Sequence, residues 1–250
     1  MNEHKTVTAA LVIIGNEVLS GRTRDANLQY LGENLNAIGI RLLEVRVIPD
    51  VEATIVASVN QLRAEFDYVF TTGGIGPTHD DITAASIAKA FGVEVVRHPD
   101  AERLVRSNYA TAEDVTPARL KMADVPAGSA LLSNPVSKSP GFRVENVYVL
   151  PGVPRIMQAM FESFRHELAG GTPVKSREIN AYLPEGKMGG PLEAVQAQFP
   201  DADIGSYPFV REGRFGAALV IRHPDQGVVD AAAVQIYAMV RELGAEPMED

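Results

Sequence analysis

Residues 7–91 alternate between short apolar runs and segments whose apolar residues recur at helical spacing, and this alternation restricts the fold more than any other feature. Residues 7–14 form an apolar run. Leu28, Leu31, Leu35 and Ile38 then mark one helical face closed by Gly39, and residues 40–48 resume as strand. Asp50 precedes a helix with the apolar set Ile55, Val56, Val59, Leu62 and Phe66, and residues 67–72 read as a β-branched and aromatic strand. Ala84, Ile87, Ala88 and Phe91 return to helical spacing, with Gly92 where a helix C-terminus favours it. Strands apolar enough to be covered on both faces, alternating with helices, predict a mainly parallel sheet with helices packed on each side. Ligands of such sheets bind outside the carboxyl ends of the strands. The loops Gly15-Asn16-Glu17, Pro49-Asp50 and the glycines from Gly73 onward should therefore converge on one crevice.

The third of these loops carries the most chemistry: Thr71-Thr-Gly-Gly-Ile-Gly-Pro-Thr-His-Asp-Asp-Ile-Thr83. Gly73, Gly74 and Gly76 let the backbone approach a ligand closely, and the following helix start offers unpaired N–H groups to a phosphate. Asp80 and Asp81 would repel that phosphate unless a Mg²⁺-like ion sat between them. Thr78-x-x-Asp81 is also an ordinary capping pair before an apolar run. Asp50 can complete a metal site and cap the helix from Val51 at once. His79 is either a donor to phosphate or a solvated loop residue, and Asp25 and Asn27 read as caps first and ligands second.

The middle of the chain is less regular. It reads as a brief strand at 93–96, a polar helix over 100–111, a turn of helix from Pro117, and strands at 130–134 and 142–150 around the loop Pro135–Gly141. Leu150-Pro-Gly-Val-Pro154 ends a strand and opens a helix that is amphipathic through Ile156, Met160 and Phe164. Gly170-Gly-Thr-Pro173 breaks the pattern, giving domains 1–172 and 173–250. The second reads as strand 177–183, helix 188–199, strands 203–208 and 215–223, and helix 228–243, a small β-α-β-β-α unit. Val229, Ala232, Ile236, Met239 and Leu243 of its last helix are core positions.

Composition narrows the function. The net charge is -9, and no lysine-arginine cluster interleaves with aromatics, so no nucleic-acid partner is expected. Without cysteine there is no disulfide, thiolate metal site or thiol nucleophile. The segment Met1–Thr6 lacks the order of a signal peptide and no apolar stretch reaches membrane-spanning length, so the expectation is a cytoplasmic protein with no membrane partner. No nucleophile elbow, Walker loop or His-Glu-x-x-His helix is present. The chemistry on offer is carboxylate-held metal plus water.

The segments Gly15-Asn-Glu-Val-Leu-Ser-Gly21, Thr71–Thr83 and Leu150–Pro154, in that order, resemble the MoaB/Mog-type molybdopterin-binding domain family. The resemblance is to the branch containing the N-terminal part of CinA, a competence/damage-inducible protein, and the N-terminal domain of eukaryotic FAD synthase. It covers about residues 5 to 170, with a looser likeness of the C-terminal unit to the small domain that follows in CinA. It implies a three-layer α/β/α fold and a cleft for molybdopterin or its adenylylated form, lined by the glycine loop and by acidic residues matching Asp50 and Asp81. In the CinA-like and FAD-synthase-like branches it implies divalent-metal-dependent cleavage of a pyrophosphate linkage, in ADP-ribose or FAD. Homo-oligomers are common in the family. The amidohydrolase half of CinA and the adenylyltransferase half of FAD synthase are not expected in a chain ending at Asp250. Asn16 stands where many CinA-like sequences carry aspartate, and Ser137 and Ser139 stand where glycine and alanine are expected.

The resulting expectation is an α/β protein that hydrolyses a nucleotide diphosphate compound with Mg²⁺, Mn²⁺ or Co²⁺. Asp50, Asp80 and Asp81 hold the metal and carry catalysis, and Gly15, Glu17, Gly73, Gly74, Gly76, Thr78, Asn134, Ser137, Pro151 and Gly152 bind the ligand. The alternatives are a molybdopterin-binding or adenylylating protein of molybdenum cofactor assembly, and a non-catalytic nucleotide-binding module whose second domain mediates oligomer contacts.

Overall fold

Side-chain alternation along the first strand sets the layering. In β1 (Val7–Ile14), Ala9, Leu11 and Ile13 enter one apolar core and Ala10, Val12 and Ile14 enter another on the opposite face. The first core is completed by α2 (Asn27–Ala37) through Leu31 and Leu35 and by α7 (Pro154–Phe164) through Met157, Met160 and Phe161. The second is completed by α3 (Glu52–Glu65) through Ile55, Val59 and Leu62 and by α4 (Thr83–Phe91) through Ile87 and Ala90. A sheet between two helical layers follows. The computed structural model describes residues 6–211 and 213–249, so the N-terminal segment read above for a leader lies almost wholly outside the described residues.

The sheet has the order β2-β1-β3-β8-β7-β6, with β2 (Ile40–Ile48), β3 (Tyr68–Thr72), β6 (Ala130–Leu132), β7 (Gly141–Val144) and β8 (Val147–Leu150). β2, β1, β3 and β8 are parallel, and β7 and β6 continue antiparallel at one edge. The short helix α1 (Asn16–Leu19) follows β1 directly. A separate two-stranded ribbon pairs β4 (Val95–Arg97) with β5 (Asp124–Pro126), flanking α5 (Pro99–Arg106) and α6 (Pro117–Leu120). The helix expected over 100–111 stops at Arg106. Beyond it the Thr111 hydroxyl donates to Asp114 Oδ2 at 2.9 Å and accepts from the Asp114 amide at 3.3 Å, so local side-chain bonds replace the helical ladder.

The chain divides into two compact units between Gly171 and Thr172. In the second, β9 (Lys175–Ala181), β10 (Asp203–Arg211) and β11 (Arg214–His223) form an antiparallel sheet of order β10-β11-β9, with α8 (Glu185–Gln198) and α9 (Gln226–Glu242) packed on it. Val229, Ala232, Ile236 and Met239 are buried there as expected, and Leu243 is partly buried. α8 begins earlier than the apolar spacing predicts, because Gly186, Gly189, Gly190 and Pro191 give its first turns little helical signature. Among the described residues no helix is long and apolar enough to cross a membrane.

Candidate functional site

Backbone contacts draw the strand-end loops together. The Gly15 amide donates to the Ile48 carbonyl at 3.1 Å, and the Gly73 amide donates to the Leu150 carbonyl at 3.0 Å. Gly73 has φ 106, and a Cβ there would lie 2.1 Å from the Ile14 carbonyl oxygen, so only glycine lets the third loop pass the end of β1. At Gly74, φ is 66 and a Cβ would fall 2.2 Å from Thr83 Oγ1. Thr83 closes the turn by donating from Oγ1 to the Gly73 carbonyl and from its amide to the Gly74 carbonyl, both at 3.0 Å. The amides of Gly74, Ile75 and Gly76 have no protein partner among the described residues, and their loop is tied to the start of α4 by the Thr83 amide, seven residues beyond Gly76.

The resulting cleft, of about 500 Å³, is lined from several segments. The glycine loop gives Gly73 to Pro77 and Asp81, the first loop gives Glu17 and Thr23, and the segment after β8 gives Pro151, Gly152, Val153, Pro154 and Ile156. Asn134, Ser137, Ser139, Pro140 and Met122 close the far wall. A smaller, mainly apolar pocket of about 110 Å³ shares Gly74, Ile75, Gly76 and Asp81 with the cleft and extends to Ala84, Val95, Val125 and Phe142. Asn134 organises its own loop: its Oδ1 accepts from the Val136 and Ser137 amides at 3.1 and 3.0 Å, while its Nδ2 donates to Ser137 Oγ at 2.7 Å and the Ser139 carbonyl at 2.8 Å.

Of the expected ligand-binding residues, Glu17, Gly73, Gly74, Gly76, Asn134, Ser137, Pro151 and Gly152 line this cleft, as does Asp81. Gly15 and Thr78 do not; they shape the loops behind it. The three aspartates are not gathered as a metal cage. Among the described residues no three His, Cys, Asp or Glu side chains form a group that could hold a metal. Each aspartate has its own reason. Asp50 does not cap α3, whose first residue follows Val51 without a side-chain cap; its Oδ2 instead accepts from the Asn16 amide at 2.9 Å. Asp80 is exposed, and hydrogen bonding within the Thr78–Asp80 turn holds its carboxyl below the ordinary value. Asp81 Oδ2 accepts from the Thr78 amide at 2.8 Å and from the Thr78 hydroxyl, which closes the loop and leaves Oδ1 without a protein partner among the described residues.

Residues outside the expected ligand-binding set complete the site. Lys121 donates from Nζ to the Thr78 carbonyl at 2.6 Å, and Met122 beside it lines the cleft. Asn27 is 2% exposed and donates from Nδ2 to the Gly152 carbonyl at 2.9 Å, which fixes the loop after β8. Asp25 acts as the cap expected of it, accepting from the Leu28 amide at 2.8 Å.

The chain is similar to known proteins in sequence and fold. A family model described as a probable molybdopterin binding domain matches residues 10–170, and one described as the middle domain of FAD synthase matches residues 173–248. A Pyrobaculum calidifontis protein is 37% identical over 237 residues, covering 92% of this chain and 86% of that protein. A probable FAD synthase of Caenorhabditis elegans is 30% identical over 93% of this chain, which spans 50% of that protein's length. The crystal structure of the protein CinA of unknown function from Thermoplasma acidophilum superposes with a TM-score of 0.61 at 33% identity, covering 65% of this chain and 99% of that one.

Proposed function

The chain belongs to the molybdopterin-binding domain family, and from that premise we propose that its cleft binds a nucleotide diphosphate compound of the ADP-ribose or FAD class and hydrolyses the pyrophosphate linkage. The observation carrying this reading is that Gly74, Ile75 and Gly76, whose amides have no protein partner among the described residues, line a cleft that Asp81 and Glu17 also line. Unpaired backbone amides held in a fixed loop suit a phosphate, and they cost no reorganisation when negative charge grows on it.

A Mg²⁺-like ion takes one or two carboxylates and completes its shell with phosphate oxygens and water. Asp81, with its free Oδ1, and Glu17 supply that donor set, so these residues fit a divalent ion; Asp50 and Asp80 are left out of it. When bound, such an ion neutralises pyrophosphate charge and lowers the pKa of a coordinated water. The chain's own part is positional. The glycine-loop amides hold one phosphate, the Asn134-ordered loop and the Pro151–Pro154 segment wall the cleft, and the apolar pocket beside Phe142 accommodates a flat ring.

A second reading is favoured by the description of the matching domain: a molybdopterin-class pterin bound in the same cleft without cleavage, or adenylylated there. Incubating the purified protein with ADP-ribose or FAD and Mg²⁺, Mn²⁺ or Co²⁺ separates the two. Release of AMP supports hydrolysis. A pterin that copurifies with protein inert toward both compounds supports the second reading.

A further inference from the structure

Beside the cleft lies a narrow recess of about 40 Å³ that shares Glu17, Thr23, Gly152 and Pro154 with it. Two side chains in its lining, Asn27 and Thr72, are 2% and 1% exposed. They reach the recess from different elements. Asn27 opens α2, and Thr72 ends β3 on the same sheet face as Phe70, the face covered by α2 and α7.

Asn27 has its amide orientation fixed, because Nδ2 donates to the Gly152 carbonyl. Its Oδ1 can therefore only accept. Among the described residues neither Asn27 Oδ1 nor Thr72 Oγ1 has a hydrogen-bond partner, and they do not bond one another. Buried polar atoms left in this state are costly, and a native chain keeps them where something else supplies the bond. We propose that the Asn27–Thr72 recess is a subsite for a neutral hydrogen-bond donor carried by the cleft's ligand, an exocyclic amine or a hydroxyl.

The chemistry selects that class. An acceptor-only group such as a phosphate oxygen finds no donor in Asn27 Oδ1 and meets the Glu17 and Asp25 carboxylates in a lining whose one basic residue is Arg24. A donor satisfies Oδ1, and the Thr72 hydroxyl, which both donates and accepts, pairs with the same group. Size restricts it further. One water needs about 10–15 Å³ of such space, so the recess admits a group of a few atoms and no ring. The anion is thus held at the glycine loop while the ligand's amine or hydroxyl is read at the start of α2, and Gly152, clamped by Asn27, belongs to both places.

This inference rests on the cleft binding a nucleotide, and its test uses ADP-ribose with calorimetric detection. Thr72→Val removes the hydroxyl at constant shape, and Thr72→Ser keeps it. The expected result is about tenfold weaker binding by Thr72→Val, wild-type binding by Thr72→Ser, and a ligand-free melting temperature for Thr72→Val no lower than wild type. Two analogues identify the source of the donor. If wild type loses affinity for the inosine counterpart, which replaces the amine by a carbonyl, the donor is the amine; if for the 2′-deoxy counterpart, it is the hydroxyl. Unchanged affinity in Thr72→Val, with or without a fall in melting temperature, would mean the recess holds water alone and overturns the inference while leaving the nucleotide reading intact. Failure of wild type to bind any of the three compounds overturns the nucleotide reading and the subsite together.

Discussion

Lys121 donates from Nζ to the Thr78 carbonyl at 2.6 Å, a bond that spans 43 positions of sequence and ties the helical turn before β5 to the glycine loop. It places a cation on the loop that lines the cleft, and the loop is closed from inside by Thr78 and Asp81. Lys121→Met should weaken ADP-ribose binding roughly tenfold while costing only about 1 kcal/mol of stability, because the bond is solvent-exposed. Calorimetry and urea unfolding read the two effects separately; a large stability loss with unchanged affinity would make Lys121 structural only.

Gly73 and Gly92 both have positive φ, yet only Gly73 lacks room for a side chain. A Cβ at Gly73 would lie 2.1 Å from the Ile14 carbonyl oxygen, whereas one at Gly92 meets nothing within 4 Å. Gly92→Ala is expected to cost about 1 kcal/mol, the left-handed backbone penalty alone. Gly73→Ala adds a backbone clash and should cost upward of about 3 kcal/mol. Equal urea midpoints for the two variants would contradict the geometry.

Asp50 is an acceptor for the Asn16 amide and lies outside the cleft lining. Asp50→Asn keeps an oxygen there and should retain AMP-releasing activity within a few-fold of wild type. Asp50→Ala leaves the amide to solvent and should lose about 1 kcal/mol of stability. A thousandfold loss of turnover in Asp50→Asn would restore it as a metal ligand.

Tyr30 and Glu162 predict a pH response away from the cleft. The Tyr30 hydroxyl donates to Glu162 Oε1 at 2.6 Å. Burial, and then this bond, push Tyr30 up from 10.0 to about 12, while the same bond holds the Glu162 carboxyl below its ordinary value. Because the Tyr30 pKa is raised, its contribution is complete below pH 10 and is lost as pH rises toward about 12. Because the Glu162 pKa is lowered, its contribution is present above 4.5 and is lost as pH falls through the lowered value. Tyr30→Phe should flatten both limbs of the stability profile measured by denaturant unfolding.

The sheet was legible because burial on both faces leaves a mark on sequence: the apolar runs of β1 and β3 and the spaced apolar residues of α2, α3 and α4 predict their own layers. The glycine loop was legible for the same local reason, since positive φ and close approach demand glycine. The aspartates were harder. A helix cap, a cross-loop acceptor and a metal ligand are the same residue in sequence, and only the Asn16 amide beside Asp50 tells them apart. Lys121 and Met122 left no signal, because their contacts are with a loop far along the chain. Asn27 was legible as a helix start, but its bond to Gly152, 125 positions away, was not.

The most direct measurement is AMP release from ADP-ribose and FAD in the presence of Mg²⁺, Mn²⁺ or Co²⁺, comparing wild type with Asp81→Asn. Asparagine still accepts from the Thr78 amide, so the variant should fold with a melting temperature close to wild type. Metal-dependent AMP release by wild type, abolished in a folded Asp81→Asn, is the predicted result. No AMP from either compound with any of the three ions, or undiminished release by Asp81→Asn, would contradict it.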